Sequence, residues 1–235
     1  MCQGKTPAQG ASTAGRIRSF VLRQGRLTPG QARALADLWP THGLETTGEA
    51  LCWQAVFGRQ SPTVLEIGSG MGASLVTQAS QSPQQNFVGV EVYPAGVGST
   101  LRQAAALGLR NLRMVQGDAV TFLEQRVPRD SLDGINVFCP DPWPKKRHHK
   151  RRLMQPPVIA LLASRLRPGG LLHVATDWRP YADQMLADLG AEPLLRNRAA
   201  NGGFSPRPKH RPLTKYERRG ARLGHQVLDL CFLRR

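Results

Sequence analysis

From Thr63 onward, short apolar runs alternate with longer amphipathic stretches. The runs are "TVLEIG" (63–68), "NFVGVEV" (86–92), "NLRMVQGD" (111–118), "GINVFCP" (134–140) and "GLLHVATD" (170–177). Each is followed by a stretch of helical character, at 71–80, 95–107, 119–126, 153–167 and 178–189. Apolar strands alternating with amphipathic helices predict a parallel sheet with helices on both faces. Two further strands are predicted near Pro193–Asn197 and at His225–Arg235. Between them, 201–212 reads as a loop and Thr214–Leu223 as a basic helix. Pro62–Arg235 is therefore expected to form one doubly wound α/β domain.

The pattern upstream is different. Residues 1–15 are small and polar and read as a disordered tail. Residues 16–61 read as a basic N-terminal extension with one or two helices. Its lead-in is "RIRSFVLRQGR" (16–26). Thr28 can cap a helix whose first position is Pro29, covering Gly30–Trp39 and stopping at Pro40.

In doubly wound sheets, ligands bind beyond the carboxyl ends of the strands. Read in order, those ends carry Glu66 and Gly68, Glu91, Asp118, Asp141 and Asp177. An acid thus sits at or near the end of each of the five strands.

The glycines of "EIGSGMG", among them Gly68 and Gly70, let the chain turn sharply and approach a ligand closely. Glu91 is suited to ribose hydroxyls, and Asp118 to an adenine amino group. A dinucleotide is one candidate cofactor, but its anionic pyrophosphate is opposed by the adjacent carboxylate of Glu66. The spacing here is G-x-G-x-G rather than the dinucleotide G-x-G-x-x-G. S-adenosyl-L-methionine carries a sulfonium and an ammonium and no phosphate, so acids in the pocket favour it.

Charge changes the picture further. The 235 residues are 40% hydrophobic, enough for a proper core, yet carry a net charge of +16 and a pI near 11.1. Residues 145–152 contribute +6 and residues 196–235 contribute +9, so 15 of the 16 net charges lie in two segments. Clustering of this kind points to nucleic acid rather than to general solubility. The cysteines, Cys2, Cys52, Cys139 and Cys231, form no CxxC pair. No apolar run approaches the ~20 residues of a membrane span. With no secretory segment at the start, the cytoplasm is the expected location.

The first basic segment adjoins a strand-end acid. "PDPWPKKRHHKRR" (140–152) fixes three φ angles around Asp141 through Pro140, Pro142 and Pro144. That rigidity suggests a positioned group, and Trp143 offers a stacking face for a base. The cations that follow suit phosphates. His148 and His149 lack spaced partners, so no metal is expected.

Together "LEIGSGMG", "VGVEV", "PDPWPKKRHHKRR", "ATDW" and "RPLTKYERRGARLGHQVLDLCF" resemble the bacterial tRNA (guanine-N7-)-methyltransferases, as does "RSFVLRQGRLT" near the start. The resemblance runs from about Arg18 to Phe232. Tyr93 departs from it, standing where many relatives carry a histidine. The resemblance implies a Rossmann-like class I methyltransferase sheet, mostly parallel and seven-stranded with the last strand antiparallel. It implies methyl transfer from S-adenosyl-L-methionine to N7 of a guanine in the tRNA variable loop, by a monomer. It carries cofactor binding onto Glu66, Gly68, Gly70, Glu91, Asp118 and Asp141, and the active-site role onto Asp141. It carries substrate contact onto Lys145, Asp177, Thr214, Lys215, Tyr216 and Glu217. It suggests Arg147, His148, His149, Lys150, Arg151 and Arg152 as an RNA-interacting stretch. Two alternatives stay open on the residues alone. One is an RNA methyltransferase acting on an exocyclic amine, because Asp-Pro-aromatic resembles the motif of amino methyltransferases. The other is a non-catalytic RNA-binding module.

Overall fold

The computed structural model describes residues 17–21, 25–222, 224 and 226–235. The expected tail at 1–15 lies outside the described residues, as do the side chains of Lys215 and Tyr216. The elements run α1 (Pro29–His42), β1 (Gly43–Leu44), α2 (Trp53–Phe57), β2 (Thr63–Ile67), α3 (Ala73–Gln81), β3 (Asn86–Glu91), α4 (Pro94–Ala106), β4 (Leu112–Gln116), α5 (Ala119–Gln125) and β5 (Leu132–Phe138). A 3₁₀ turn (Lys146–Arg151), α6 (Pro156–Arg165), β6 (Leu166–Thr176), α7 (Arg179–Ala191), β7 (Leu195–Asn197), α8 (Lys215–Arg222) and β8 (Leu228–Arg234) complete the chain.

The strands form one sheet in the order β1-β4-β3-β2-β5-β6-β8-β7. Only β8 is antiparallel to its neighbours. The seven expected strands are β2–β8. An eighth, β1, comes from the N-terminal extension and pairs parallel with β4 (Gly43↔Met114). Two residues are too few to leave a period-two pattern, which is why the sequence does not announce it.

Both faces are covered, which explains the nearly unbroken apolar strands. One face packs Leu75, Val76, Val97, Leu101 and Ala104 from α3 and α4. The other packs Phe122, Leu123, Ile159, Leu162, Tyr181 and Met185 from α5, α6 and α7. Fully burying such aliphatic or aromatic side chains contributes about 1.5–3 kcal/mol each.

The first helix runs further than expected. Thr28 and Gln31 form a reciprocal capping box, but α1 continues through Pro40 to His42. Proline removes one late hydrogen bond, and Gly43 N–H still closes the last turn on the Trp39 carbonyl. The helix is also held from outside, because it lies directly on α4. A Cβ at Gly98 would stand 2.6 Å from the Gln31 carbonyl oxygen, so the two backbones touch only because residue 98 is glycine.

Candidate active site

The strand order reverses at β2, whose neighbours are β3 and β5. The crevice at that reversal lies beyond the carboxyl ends of β2 and β5, where sheets of this kind take ligands. After β2 the chain enters the glycine loop with φ of +73° at Gly68, +55° at Gly70 and +85° at Gly72. L side chains rarely adopt those values. A Cβ on Gly68 or Gly70 would meet nothing within 4 Å, so the loop borders open space.

Glu91 braces this loop. Its Oε2 accepts from Gly70 N–H at 2.7 Å and its Oε1 from Tyr93 N–H at 2.9 Å. Each carboxylate oxygen keeps a further lone pair. Asp118 caps α5, its Oδ1 accepting from Val120 N–H at 2.9 Å. Ser69 Oγ, inside the loop, is buried with no hydrogen-bond partner among the described residues. Buried hydroxyls are normally paired. Open space beside the loop, an orphan hydroxyl and two braced carboxylates fit a ligand rich in hydroxyl and amino groups.

Glu66 is placed differently from its neighbours. It is 2% exposed and turned onto α3, where Ser74 Oγ and Gln78 Nε2 donate to its Oε2 at 3.0 and 2.8 Å. Gln78 in turn accepts from Asn136 on β5. Burial pushes the Glu66 carboxyl up to about 7, against the pull of those two hydrogen bonds. Ser74, Gln78 and Asn136 were not singled out in the sequence. The available signal was the i, i+4 pair of polar residues on α3's inner face.

Beyond β5 the backbone is strained on both sides of Asp141. Cys139 has φ +48° and Trp143 φ +44°, both unusual for residues with a Cβ. Asp141 is exposed between them. Burial, reinforced by the Asp177 charge, pushes the Cys139 thiol up to about 12, so no thiolate nucleophile forms there.

The basic run folds back over this turn as the 3₁₀ segment. Lys145, Arg147 and Lys150 are exposed, and His148, His149 and Arg151 are partly so. Burial and its cationic neighbours, Arg147 first, hold His148 below its ordinary range. Trp143 does not present a bare ring to a base. The Arg151 guanidinium lies 5.0 Å over it, His148 meets it edge-on, and its Nε1–H donates to the Ser19 carbonyl at 3.0 Å. The face under Arg151 is closed to stacking.

Arg152 also departs from expectation. It is 4% exposed and stacks over Tyr181. Its Nε–H donates to the Pro142 carbonyl at 2.8 Å, and Nη1 donates to Gln184 at 2.6 Å. Its guanidinium is committed to the protein interior rather than to phosphate.

The last segment gathers at β6 and β8. Asp177 follows β6 and is partly buried. Thr214 Oγ1 accepts from Glu217 N–H at 3.2 Å, capping α8. Glu217 meets Arg211, whose Nη1 and Nη2 donate to its two oxygens at 2.7 and 3.0 Å. Arg211 grips Asp229 from the other side, at 2.7 and 3.0 Å. Asp229 Oδ1 also lies 2.7 Å from His173 Nε2, and His173 Nδ1 lies 3.0 Å from His210 Nε2. Burial lowers the basicity of both imidazoles. With both neutral, His210 donates to His173, and His173 donates to Asp229. Burial alone would raise the Asp229 carboxyl, but the hydrogen bonds from His173 and Arg211 outweigh it and hold it below the ordinary range. Sequence reasoning did not find Arg211, Asp229 or His173. The signal was a lone His and a lone Asp inside apolar strands. Among the described residues, no group of His, Cys, Asp and Glu could hold a metal ion. Among the same residues, no helix is long and apolar enough to cross a membrane.

Comparison with known proteins agrees with this layout. A family model described as "Putative methyltransferase" matches residues 60–230. The tRNA (guanine-N(7)-)-methyltransferase of Paraburkholderia xenovorans (strain LB400) is 54% identical over 230 residues, covering 98% of this chain and 88% of that one. Its namesake from Shewanella amazonensis (strain ATCC BAA-1098 / SB2B) is 53% identical over 219 residues, covering 93% and 92%. The crystal structure of the 16S rRNA methyltransferase KamB superposes with a TM-score of 0.54 at 19% identity, over 80% of this chain and 96% of that one, which speaks to the fold. The strand order, the glycine loop and the near full-length identity converge on one conclusion: this chain belongs to the bacterial tRNA (guanine-N7-)-methyltransferase family.

Proposed function

We propose that this chain methylates N7 of a guanine in the variable loop of tRNA, taking the methyl group from S-adenosyl-L-methionine, and that it works as a cytoplasmic monomer. The observation that carries the reading is the juxtaposition at the sheet's reversal. A glycine loop braced by Glu91 ends β2, and a rigid turn bearing Asp141 follows β5, with exposed cations folded behind it.

The residues of the crevice suit the cofactor. Glu91 has lone pairs left for ribose hydroxyls, and Asp118 stands ready for an adenine amino group. Gly68 and Gly70 leave room along the loop, and Ser69 Oγ offers an unused hydrogen-bonding group. Glu66, near the end of the strand that leads into the loop and turned onto α3, would favour a cationic ligand on ionising. S-adenosyl-L-methionine held there would supply an electrophilic methyl group on a sulfonium, and its transfer to N7 would leave the positive charge on the guanine.

Neutral guanine N7 is a bare lone pair. No proton has to leave before it attacks, so Asp141 need not act as a base. An ionised carboxylate held by a rigid turn stabilises the cation that develops on the ring. The same acceptor-only group can orient the base through its N1–H and N2–H₂ donors. Asp177 can share either task. Lys145, Arg147, Lys150 and Arg151 engage the phosphate backbone, and the Thr214–Glu217 segment stands at the substrate with the Glu217 carboxylate itself turned inward onto Arg211. Bringing the guanine out of its tertiary contacts costs a few kcal/mol.

A tRNA transcript whose variable-loop guanine is replaced by adenine tests the choice of base. Such a transcript should accept no methyl while its parent does. Equal methylation of both would place the target elsewhere.

A further inference from the structure

Resting on that reading, we infer that Arg211 is a positioning residue for the RNA substrate: it fastens α8 to the carboxyl edge of the sheet by bridging Glu217 to Asp229. The guanidinium is 6% exposed and lies between two carboxylates, each held through both oxygens. Four charge-assisted bonds in a fixed planar fork add orientation to attraction.

The partner helix needs such a fastening. Its sequence, "KYERRGAR", contains only Tyr216 and Ala221 as apolar residues. An eight-residue helix of that composition is not stable by itself in water. Its four cations are Lys215, Arg218, Arg219 and Arg222, and Arg218 and Arg222 are exposed. Its single acid, Glu217, is turned inward with its side chain 11% exposed. The helix thus offers exposed charge to RNA and uses its lone carboxylate as the anchor. Arg207 lies 3.8 Å from the same carboxylate, but on a side chain 36% exposed, where it contributes little.

The anchor end is equally fixed. Asp229 sits on β8 opposite Ala175 and receives His173 and Arg211 together. The Ser205 N–H donates to the Asp229 carbonyl at 2.8 Å, tying the 201–212 loop to the same residue. The assembly adjoins the other site segments, because the charges of Asp177, Arg211, Glu217 and Asp229 all act on Cys139, two residues before Asp141. Arg211 therefore sets where α8 stands relative to the Asp141 turn.

Arg211→Lys keeps the charge and removes the two-sided fork, which separates placement from attraction. The measurements are amide hydrogen exchange, cofactor affinity and steady-state methylation of a tRNA transcript. Exchange in α8 and KM for tRNA should each rise by about tenfold or more, with β6 exchange and cofactor Kd unchanged. Glu217→Gln should do the same, and the double variant should be no worse than either single one. If Arg211→Lys does not fold, Glu217→Gln carries the same expectation. Wild-type KM and α8 exchange in the single variants, or losses that add in the double one, would overturn the proposal. If the unmutated chain puts no methyl on tRNA, the functional reading fails and this one falls with it. Transfer by the unmutated chain with unaffected variants sinks the Arg211 role alone.

Discussion

Arg152 donates its Nε–H to the carbonyl oxygen of Pro142 over 2.8 Å, across ten residues of chain. The last cation of the basic run thereby grips the turn that carries Asp141. Tyr181 beneath it and Gln184 beside it complete the seat. The run therefore divides into cations that face solvent, Lys145, Lys146, Arg147 and Lys150, and two that pack on the turn, Arg151 over Trp143 and Arg152 on the Pro142 carbonyl.

The division has a measurable consequence. Arg152→Ala should lower stability by about 1–3 kcal/mol, since it leaves partly buried acceptors unpaired and removes the packing on Tyr181. It should also reduce turnover, with a smaller effect on tRNA affinity. Arg147→Ala with Lys150→Ala should leave stability nearly unchanged and weaken tRNA binding, reducing the log–log salt slope by roughly 1 per lost phosphate contact. Thermal unfolding and filter binding at several salt concentrations distinguish the two. Identical behaviour of both variants would mean that the run is functionally uniform.

Glu66 makes stability depend on pH. Its folded-state carboxyl titrates near 7 against an ordinary 4.5. An acid raised on folding holds more protons folded than unfolded between those values, so stability falls as pH rises from 4.5 to 7. The full effect of this one buried group is about 3 kcal/mol, at 1.36 kcal/mol per pH unit. Glu66→Gln should flatten that part of the profile, measured by denaturant unfolding from pH 4 to pH 8. A cationic ligand favours the ionised form, so cofactor binding near pH 6 should release protons. Calorimetry in buffers of different ionisation enthalpy detects that release, and its absence would separate Glu66 from the cofactor.

Much of this arrangement was legible in the sequence. The alternation of apolar runs and amphipathic stretches gave β2–β8 and their helices, because strands buried on both faces must be apolar throughout. Of the strand-end acids, the structure finds Glu91 bracing the glycine loop and Asp118 capping α5. What stayed hidden depends on contacts between distant residues. Nothing within "KKRHHKRR" distinguishes Arg152 from Arg151, since the selector is Tyr181, 29 positions later in the chain and buried beneath it. Arg211 reads as one more cation of a basic tail until β8 brings Asp229 beside it, 18 positions away. Glu66 reads as a pocket acid until α3 turns Ser74 and Gln78 onto it. Pro40 misled because local propensity yields to packing against α4.

Asp141 is assigned charge stabilisation rather than proton removal. Asp141→Ala should cut kcat by roughly 10²–10³, the range for losing one preorganised electrostatic group. Its tRNA and cofactor affinities should change far less. The wild-type rate should stay level from about pH 6 to 8, where guanine N7 is already unprotonated. Single-turnover rates across that range check this, and a rate that climbs tenfold per pH unit would show that a proton must leave before transfer.

The most direct measurement is the identity of the modified nucleoside. Unmodified tRNA transcript is incubated with the protein and isotopically labelled S-adenosyl-L-methionine, digested, and resolved by mass spectrometry. The label should appear as 7-methylguanosine from the variable loop. Label on an exocyclic amine of adenine or guanine, or on no nucleoside at all, would contradict the assigned reaction.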